Sequence, residues 1–392
     1  MLTFLAWLCV LLPSLALLQF SIEVLLGLRP LTRDHPVKPD LDLAVIIPAH
    51  NEELLIAGTV QALQQLVAPA TRVIVVADNC SDRTAEIARA TGATVIERND
   101  ASRRGKGFAL AFARDFLASA PPQAVFILDA DCRVSRGKVE EIGSQAAALG
   151  EPVQSTNLLM APAGASPMVL VSNFAMIVKN LVRARGLYRL GGGITLFGTG
   201  MAFPWHIFAQ AELATSEPVE DLRLALVLAQ QGFRVHLSED LQVTSAAAGI
   251  EDSLDQRRRW EHGFLANAAR YGVPSVAGGA MRRSRHLVTL GAHLLVPPLA
   301  LLFLVAAVAL LAALVLALWT GNAAPAVVLA GALSLAVAMT AIAWYREGRE
   351  TLGLLTLARA PLYVLWKIPL YLGFFASRQT EWNRTRRLNE KS

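Results

Sequence analysis

The stretch DLAVIIPAHNEE, residues 42–53, decides the fold that the sequence predicts. It opens with an apolar run that ends at Pro48, and it turns polar from His50 onward. A short run that is apolar at every position is typical of a strand buried on both faces of a parallel sheet. The polar residues that follow it would therefore lie just beyond the carboxyl end of that strand.

The same pattern of an apolar run followed by polar residues recurs further along the chain. We predict further strands in RVIVVADN (72–79), ATVIER (93–98) and AVFILDADC (124–132). Helical patterns cover the intervening segments 52–67, 83–91 and 106–119. Strands that alternate with helices indicate an α/β fold with a parallel, doubly wound sheet, whose ligands bind beyond the carboxyl ends of the strands. The polar clusters of that edge are His50-Asn51-Glu52, Asp78-Asn79 and Asp129-Ala130-Asp131.

Beyond residue 150 the pattern is less regular. Residues 168–189 predict a helix, and GGGITLFGTGMAFP (191–204) predicts a glycine-rich loop between short strands. VEDLRLALVLAQQG (219–232) predicts a helix that opens with Glu220 and Asp221. Carboxylates are favourable at the positive end of the helix dipole. The acidic pair therefore has two interpretations, as a helix-stabilising feature or as part of a site.

The two ends of the chain are far more apolar than its middle. The 392 residues are 54% hydrophobic and 17% charged, with a mean hydropathy of +0.43, whereas a soluble domain is about a quarter charged. Apolar stretches cover 2–28, 287–318, 323–344 and 352–376. A helix of about 20 apolar residues spans a bilayer. The sequence therefore predicts a membrane protein with one large α/β domain in its middle.

We predict five segments, and basic residues indicate on which side of the membrane the end of the first segment and the last segment lie. These are an N-terminal transmembrane helix (1–28), a cytosolic α/β domain (40–280), two transmembrane helices (286–345), an interfacial or third C-terminal membrane segment (352–377) and a basic tail (378–392). Basic residues follow the first helix, which places its C-terminal end in the cytosol. A cleaved signal peptide is the alternative, but a basic n-region and an A-x-A site are missing.

Composition also argues against several classes of protein. The net charge is +5, and arginines cluster beside the apolar segments, where anionic lipid headgroups would lie. The middle of the chain has no basic stripe with interleaved aromatics, so we expect no nucleic-acid partner. Three scattered cysteines suit neither a disulfide framework nor a zinc site. The G-x-G-x-x-G of dinucleotide-dependent oxidoreductases is absent after the first strand.

Asp129 and Asp131 are the first candidates for chemistry. If the strand continues through them, residues two apart point to the same side. Two carboxylates on one side repel each other unless a cation lies between them, and a hard divalent cation with oxygen ligands meets that need. The position after an apolar strand favours a metal site over a solvated turn.

QRRRW, residues 256–260, is the second candidate. On a helix its three arginines point in different directions, whereas Gln256, Arg259 and Trp260 share one face. Arg can bind phosphate in a bidentate fork, and Trp offers a flat apolar surface to a sugar ring. Arg257 and Arg258 would be solvated or would face lipid headgroups.

The ordered set of motifs resembles the processive-type family 2 glycosyltransferases, which include cellulose, hyaluronan, poly-N-acetylglucosamine and ceramide glucosyl synthases. The motifs are IIPAHNEE, DNCSDRT, RGKGFAL, DADC, GTGM, ED and QRRRW, and they cover about 43–265. The resemblance implies a GT-A fold, a Rossmann-like nucleotide-sugar-binding domain, with flanking transmembrane and interfacial helices. It also implies a divalent cofactor, Mg²⁺ or Mn²⁺.

The resemblance assigns a role to each motif. The donor would be bound by His50, Asn51, Glu52, Asp78, Lys106, Asp129 and Arg259. The metal would be bound by Asp131, the more direct ligand, and Asp129. The diphosphate would be bound by Gln256 and Arg259. The acceptor would be contacted by Gly198, Thr199, Gly200, Met201 and Trp260. Asp221 would be the catalytic base.

Some features depart from the family pattern. DNCSD replaces an Asp-Asp-Gly-Ser pattern, the F-x-V-T-x-K gating motif is missing, and three or four membrane segments are few for a polymer channel. We therefore expect an inverting, metal-dependent transferase in the cell inner membrane rather than a processive polysaccharide synthase. It would move sugar from a UDP-linked donor to a lipid-linked or other membrane-associated acceptor, in surface polysaccharide or glycolipid synthesis. A non-catalytic membrane scaffold with this fold is the alternative of another class.

Overall fold

The computed structural model describes residues 2–31, 40–162, 164–217, 219–246 and 250–376, and they form two compact units. The sheet unit comprises 30–31, 40–162, 192–217 and 219–246. The apolar-helix unit comprises 2–29, 164–191 and 250–376. Packing thus groups 164–191 and 250–280 with the apolar helices, whereas the sequence predicted a single domain over 40–280. The predicted basic tail, 378–392, lies outside the described residues.

The described residues form eight strands and sixteen α-helices. The strands are β1 Leu43–Ala49, β2 Arg72–Asp78, β3 Thr94–Arg98, β4 Ala124–Ile127, β5 Cys132–Arg136, β6 Val153–Met160, β7 Met201–Pro204 and β8 His236–Ala246. The helices are α1 Leu2–Gly27, α2 Ile56–Gln64, α3 Thr84–Ala90, α4 Lys106–Leu117, α5 Val139–Leu149, α6 Pro167–Ile177, α7 Ala184–Gly191, α8 Trp205–Gln210, α9 Glu220–Gln230, α10 Ile250–Met281, α11 Arg285–Leu294, α12 Leu299–Thr320, α13 Ala324–Ala343, α14 Leu354–Leu357, α15 Ala360–Trp366 and α16 Ile368–Ala376. Two π-helical segments, Val178–Arg183 and Trp344–Gly348, follow α6 and α13.

The strands form one mixed sheet in the order β3-β2-β1-β4-β7-β6-β8-β5. The first four are parallel, which confirms the prediction for the N-terminal half. The remaining strands make the sheet mixed, since β7 lies antiparallel between β4 and β6, and β5 is antiparallel to β8. Strands β1 and β4 are buried almost throughout, as their apolar sequences require.

The predicted fourth strand, 124–132, is wrong at its C-terminal end. Strand β4 stops at Ile127, and the backbone oxygen of Asp129 then accepts a hydrogen bond from the N–H of Cys132 (3.0 Å), which closes a turn. The strand stops because the glycine-rich loop replaces its backbone partner: the N–H of Asp129 donates to the side chain of Thr199, at Oγ1 (3.0 Å), and not to a neighbouring strand. Asp129 and Asp131 therefore lie in a turn and not on one side of an extended strand.

The apolar-helix unit contains three described helices that are long and apolar enough to cross a membrane. They are Leu2–Gly27, Leu299–Thr320 and Ala324–Gly348. Two of these helices lie where the sequence predicted a pair of spans, 286–345, but the first of them begins only at Leu299, because Pro297 and Pro298 separate it from α11. Residues 354–376 form three short helices, none of which has the length of a span.

Helix α1 packs closely against the segment 178–186 of the same unit. A Cβ on Gly27 or on Gly186 would lie 1.8 Å from a backbone oxygen of the opposite segment, so glycine is required at both positions. The buried carboxylate of Glu23 accepts a hydrogen bond from Arg183 Nε (2.7 Å) and lies 3.1 Å from His293 Nδ1. Burial of a charge is tolerated when the charge is paired in this way. Helix α1 is therefore an integral part of the unit.

Candidate active site

The segment after β1 is joined to the segment after β2 at the carboxyl edge of the sheet. His50 Nδ1 donates to the backbone oxygen of Asp78 (2.7 Å), and Asn51 Oδ1 accepts from the N–H of Ser81 (2.7 Å). The N–H of Glu52 donates to Thr84 Oγ1 at 2.7 Å. The structure thus brings together two polar clusters that the sequence predicted to meet.

The side chain of Asp78 has a partner that sequence reasoning missed. Arg98, at the end of β3, donates from Nη1 to Asp78 Oδ1 at 2.6 Å, and Asn79 Nδ2 donates to the same oxygen at 3.0 Å. Asp78 and Arg98 are also opposite each other in the register of β2 and β3. The sequence did contain a signal for this pair: an acidic residue, Asp78, ends one strand, and a basic residue, Arg98, ends the next strand.

Lys106, the first residue of α4, joins the aspartate turn to the glycine-rich loop. Its ammonium pairs with Asp129 and donates to the backbone oxygen of Gly198 (2.6 Å). Burial alone would lower the pKa of Lys106, but the carboxylates of Asp129 and Glu220 raise it above its usual value. Lys106 therefore stays charged. It provides a positive charge beside Asp129, for which the sequence had indicated only a metal ion.

Asp221 lies in the first turn of α9 and faces the same loop. A Cβ on Gly198 would be 3.3 Å from Asp221 Oδ2 and 4.0 Å from Lys106 Nζ. The other carboxylate oxygen, Oδ1, accepts a hydrogen bond from the N–H of Leu222 at 2.8 Å. Asp221, Lys106 and Asp129 thus converge on the backbone around Gly198.

The remaining residues of the predicted acceptor loop are largely internal. The side chains of Thr199 and Met201 are buried, and a Cβ on Gly200 would lie 2.1 Å from Ser155 Oγ. Both Gly198 and Gly200 have a positive φ, +84° and +69°, which glycine adopts readily. An acceptor would therefore meet the backbone of this loop rather than the side chains of Thr199 or Met201.

Comparison with known proteins identifies the family. The model described as "Glycosyltransferase like family 2" matches residues 39–263, more than half of the chain. The chain belongs to this family. Its sheet unit therefore has the GT-A fold, and the protein is a glycosyltransferase, as the resemblance implied. No curated protein sequence matches the chain.

One solved structure with a TM-score above 0.5 agrees with this fold. A mannosyltransferase, PcManGT from Pyrobaculum calidifontis in complex with GDP-Man and Mn²⁺, superposes with a TM-score of 0.58 at 19% identity, covering 89% of this chain and 98% of that chain. Glucosyl-3-phosphoglycerate synthase from Mycobacterium tuberculosis, in complex with Mn²⁺, UDP and phosphoglyceric acid, gives a TM-score of 0.35 at 19% identity, covering 58% and 78% of the two chains. At that TM-score the second structure adds nothing to the fold assignment.

The aspartate turn of this glycosyltransferase fits a divalent cation. Asp129, Asp131 and Cys132 each offer a ligand atom, and these atoms lie within 4.8 Å of one another. Burial, followed by the charge of Asp131, raises the pKa of the Cys132 thiol well above its usual value. Asp129 and Asp131 supply carboxylate oxygens, which suit Mg²⁺ or Mn²⁺.

Glu220 differs from its neighbour Asp221 in its protonation. Burial, followed by the charge of Asp221, raises the pKa of Glu220 from 4.5 to about 7. At neutral pH, Glu220 is therefore partly protonated. A carboxyl group with this pKa, one residue from the predicted base, could itself exchange protons.

The QRRRW motif lies on α10 of the apolar-helix unit, and helical spacing puts Gln256, Arg259 and Trp260 on one face as predicted. All three are half-buried. Arg258 is exposed, as expected, but Arg257 is 6% exposed, so the expectation that it is solvated or faces lipid headgroups is wrong. The functional roles of Gln256, Arg259 and Trp260 stay predictions.

Proposed function

We propose that this glycosyltransferase is inverting and metal-dependent, and that it moves one sugar from a nucleotide-sugar donor to a lipid-linked or other membrane-associated acceptor. The observation that carries the proposal is the convergence of Lys106, Asp129 and Asp221 on the backbone at Gly198. This arrangement places a cation for a leaving group and a carboxylate for a nucleophile beside the same residue, Gly198.

The nucleoside end of the donor is assigned to the joined segments after β1 and β2. The residues proposed to bind it are His50, Asn51, Glu52 and Asp78. The hydrogen bonds that join the two segments support this assignment, because they hold the polar groups in place before a ligand arrives. Lys106 lies between this segment and the aspartate turn in the chain and would contact the phosphates as a point charge.

The diphosphate end is assigned to cationic groups. A divalent ion held by Asp131 and Asp129 would stabilise the charge that develops on the leaving diphosphate. PcManGT is described with Mn²⁺ and GDP-Man, which supports a metal-dependent donor site here. Gln256 and Arg259 would bind the same phosphates from α10, since guanidinium groups bind phosphate oxygens in pairs.

The acceptor end is assigned to Asp221 and Trp260. The acceptor oxygen forms a bond to the anomeric carbon, the bond from that carbon to the diphosphate breaks, and the hydroxyl proton passes to Asp221 Oδ2. Transfer from the face opposite the leaving group inverts the anomeric configuration. Trp260 would supply the apolar surface on which the acceptor sugar lies.

The apolar-helix unit supports a membrane-associated acceptor. Residues on the outer surface of its long helices are large and apolar, among them Leu318 (86% exposed) and Trp319 (77% exposed). Exposed apolar surfaces of this kind are stable in lipid and unstable in water. We therefore propose a multi-pass protein of the cell inner membrane with the sheet unit in the cytosol.

A panel of nucleotide sugars, assayed for released nucleoside diphosphate with and without membrane lipid extract, tests this function. Release that requires lipid extract and yields a product longer by one sugar supports the proposal. A ladder of long products with donor in excess would favour a processive synthase. Binding of donors without turnover in any lipid extract would favour the non-catalytic scaffold.

A further inference from the structure

One oxygen of the Asp78 carboxylate is already fully used within the protein. Asp78 Oδ1 accepts hydrogen bonds from Arg98 Nη1 (2.6 Å) and from Asn79 Nδ2 (3.0 Å). A carboxylate oxygen has two lone pairs, so these two donors fill it. In the described part of the chain, no side chain donates to the other oxygen, Oδ2. A ligand that meets this carboxylate thus finds one acceptor atom and not two.

The two donors cannot easily turn away. Arg98 is largely buried; its Nη1 also donates to the backbone oxygen of Arg103 (2.7 Å), and its guanidinium carbon lies 5.4 Å from the centre of the Phe108 ring. Its second nitrogen, Nη2, donates to Asp100 Oδ2 at 3.2 Å. The guanidinium is therefore fixed on four sides before any nucleotide binds.

Asn79 is fixed in the same way from the other strand. Its backbone N–H donates to the backbone oxygen of Arg98 (2.7 Å), and its Oδ1 accepts from the N–H of Asp100 (2.8 Å). The side-chain amide must then direct its nitrogen at Asp78. The backbone at Asn79 has φ +51°, a conformation that asparagine tolerates better than most residues.

Nucleobases differ in how many donors they present at the pairing edge. Guanine presents two neighbouring donors, N1–H and the 2-amino group, and these match both oxygens of a free carboxylate. Uracil and thymine present a single imide N–H between two carbonyl oxygens. With Oδ1 filled, guanine would leave one of its donors without an acceptor, which costs free energy when the group is desolvated.

We infer that Arg98 and Asn79 are specificity-determining residues, which restrict Asp78 to one acceptor oxygen and so select a donor nucleotide with an imide base, uracil or thymine, over guanine. The inference rests on the proposed role of Asp78 in binding the nucleoside. The expected discrimination is at least about tenfold in Kd, the factor that corresponds to 1.4 kcal/mol.

The test uses the full chain in lipid nanodiscs with Mg²⁺ and measures the Kd of UDP, dTDP and GDP by calorimetry. We expect UDP or dTDP to bind at least about tenfold more tightly than GDP. Arg98→Met removes one of the two donors to Asp78 Oδ1 and so frees one of its lone pairs. The ratio of the Kd of GDP to the Kd of UDP or dTDP should then fall towards one. Arg89→Met is the matched control, because Arg89 forms an exposed ion pair with Glu97 and should leave the ratio unchanged.

The outcomes separate the inference from the proposed function. If none of the nucleotides binds, the proposed function fails. If GDP binds as tightly as UDP and dTDP to the unmodified chain, the function stands and the inference is overturned. If Arg98→Met does not fold, Asn79→Gly removes the other donor at a position whose φ glycine accepts, and it should narrow the ratio. A folded variant of either kind with an unchanged ratio would also overturn the inference.

Discussion

Replacing Asp221 by Asn tests the proposed base most directly, because the structure separates the two roles of this carboxylate. Oδ1 accepts the N–H of Leu222 within α9, and Oδ2 faces the backbone at Gly198. The amide oxygen of Asn can keep the first contact, so α9 should keep its N-terminal turn. The amide nitrogen then takes the place of Oδ2, and it cannot accept a proton.

The expected loss is at least about a hundredfold in kcat, the lower end for loss of a general base, or about 2.7 kcal/mol in the activation free energy. Donor affinity should change little, because the donor phosphates are assigned to Lys106, Arg259 and the metal. The thermal stability of the variant should match that of the unmodified chain. A pure helix-stabilising role for Asp221 predicts near-normal kcat together with unchanged stability, since Asn is well accepted near a helix N-terminus.

The assay measures kcat from released nucleoside diphosphate at saturating donor and acceptor, and donor Kd by calorimetry. Glu220→Gln is the matched control, since it removes the neighbouring carboxylate and leaves Asp221 in place. Near-normal turnover in Asp221→Asn would refute the assignment. If Glu220→Gln instead lost a hundredfold or more, the base would be Glu220, whose pKa of about 7 suits proton exchange at neutral pH.

Four further predictions address the metal, the acceptor, pH and topology. Asp131→Ala should abolish turnover and weaken Mn²⁺ binding measured by calorimetry; full turnover in excess chelator would contradict the metal site. Trp260→Ala should raise the acceptor KM more than the donor Kd. The raised pKa of Glu220 stabilises the fold below about pH 4.5, and this contribution is lost as the pH rises through about 7. Glu220→Gln should therefore remove up to about 3 kcal/mol of the decline in unfolding free energy between pH 5 and 8, measured by denaturant titration. A reporter fused after the basic tail 378–392 should be active on the cytosolic side, because positive residues favour that side.

The sequence predicted those parts of the fold that depend on local patterns. Strands β1 and β2 were found because each is a short, apolar run, and a run of this kind in a parallel sheet needs no distant partner to be recognised. The helices between them were found as well, although α2 begins only at Ile56 and is shorter than the predicted 52–67. Helix boundaries depend on single hydrogen bonds at the ends and are less regular than the periodic interior.

The features that were missed depend on residues distant in sequence. Strand β4 ends early because Thr199, 70 residues away, takes the N–H of Asp129. Arg98 contributes to the site because its strand lies beside that of Asp78, and the register of two strands is not visible in either one alone. The mixed half of the sheet was missed because β7 inserts between β4 and β6, two strands that both come earlier in the chain.

The pairing of Glu23 with Arg183 and His293 has a consequence for how the protein is made. Helix α1 leaves the ribosome before the residues that pair with it, because the carboxylate of Glu23 is 160 residues ahead of Arg183 and 270 residues ahead of His293. At roughly 5–20 residues per second, the first partner follows after roughly 8 to 32 seconds. During that interval the nascent helix holds an acidic side chain without its native counter-charge. If α1 spans a bilayer, as we propose, its insertion and the completion of the charge cluster are separate events, and a chain whose synthesis stops before residue 183 would leave α1 with an uncompensated charge.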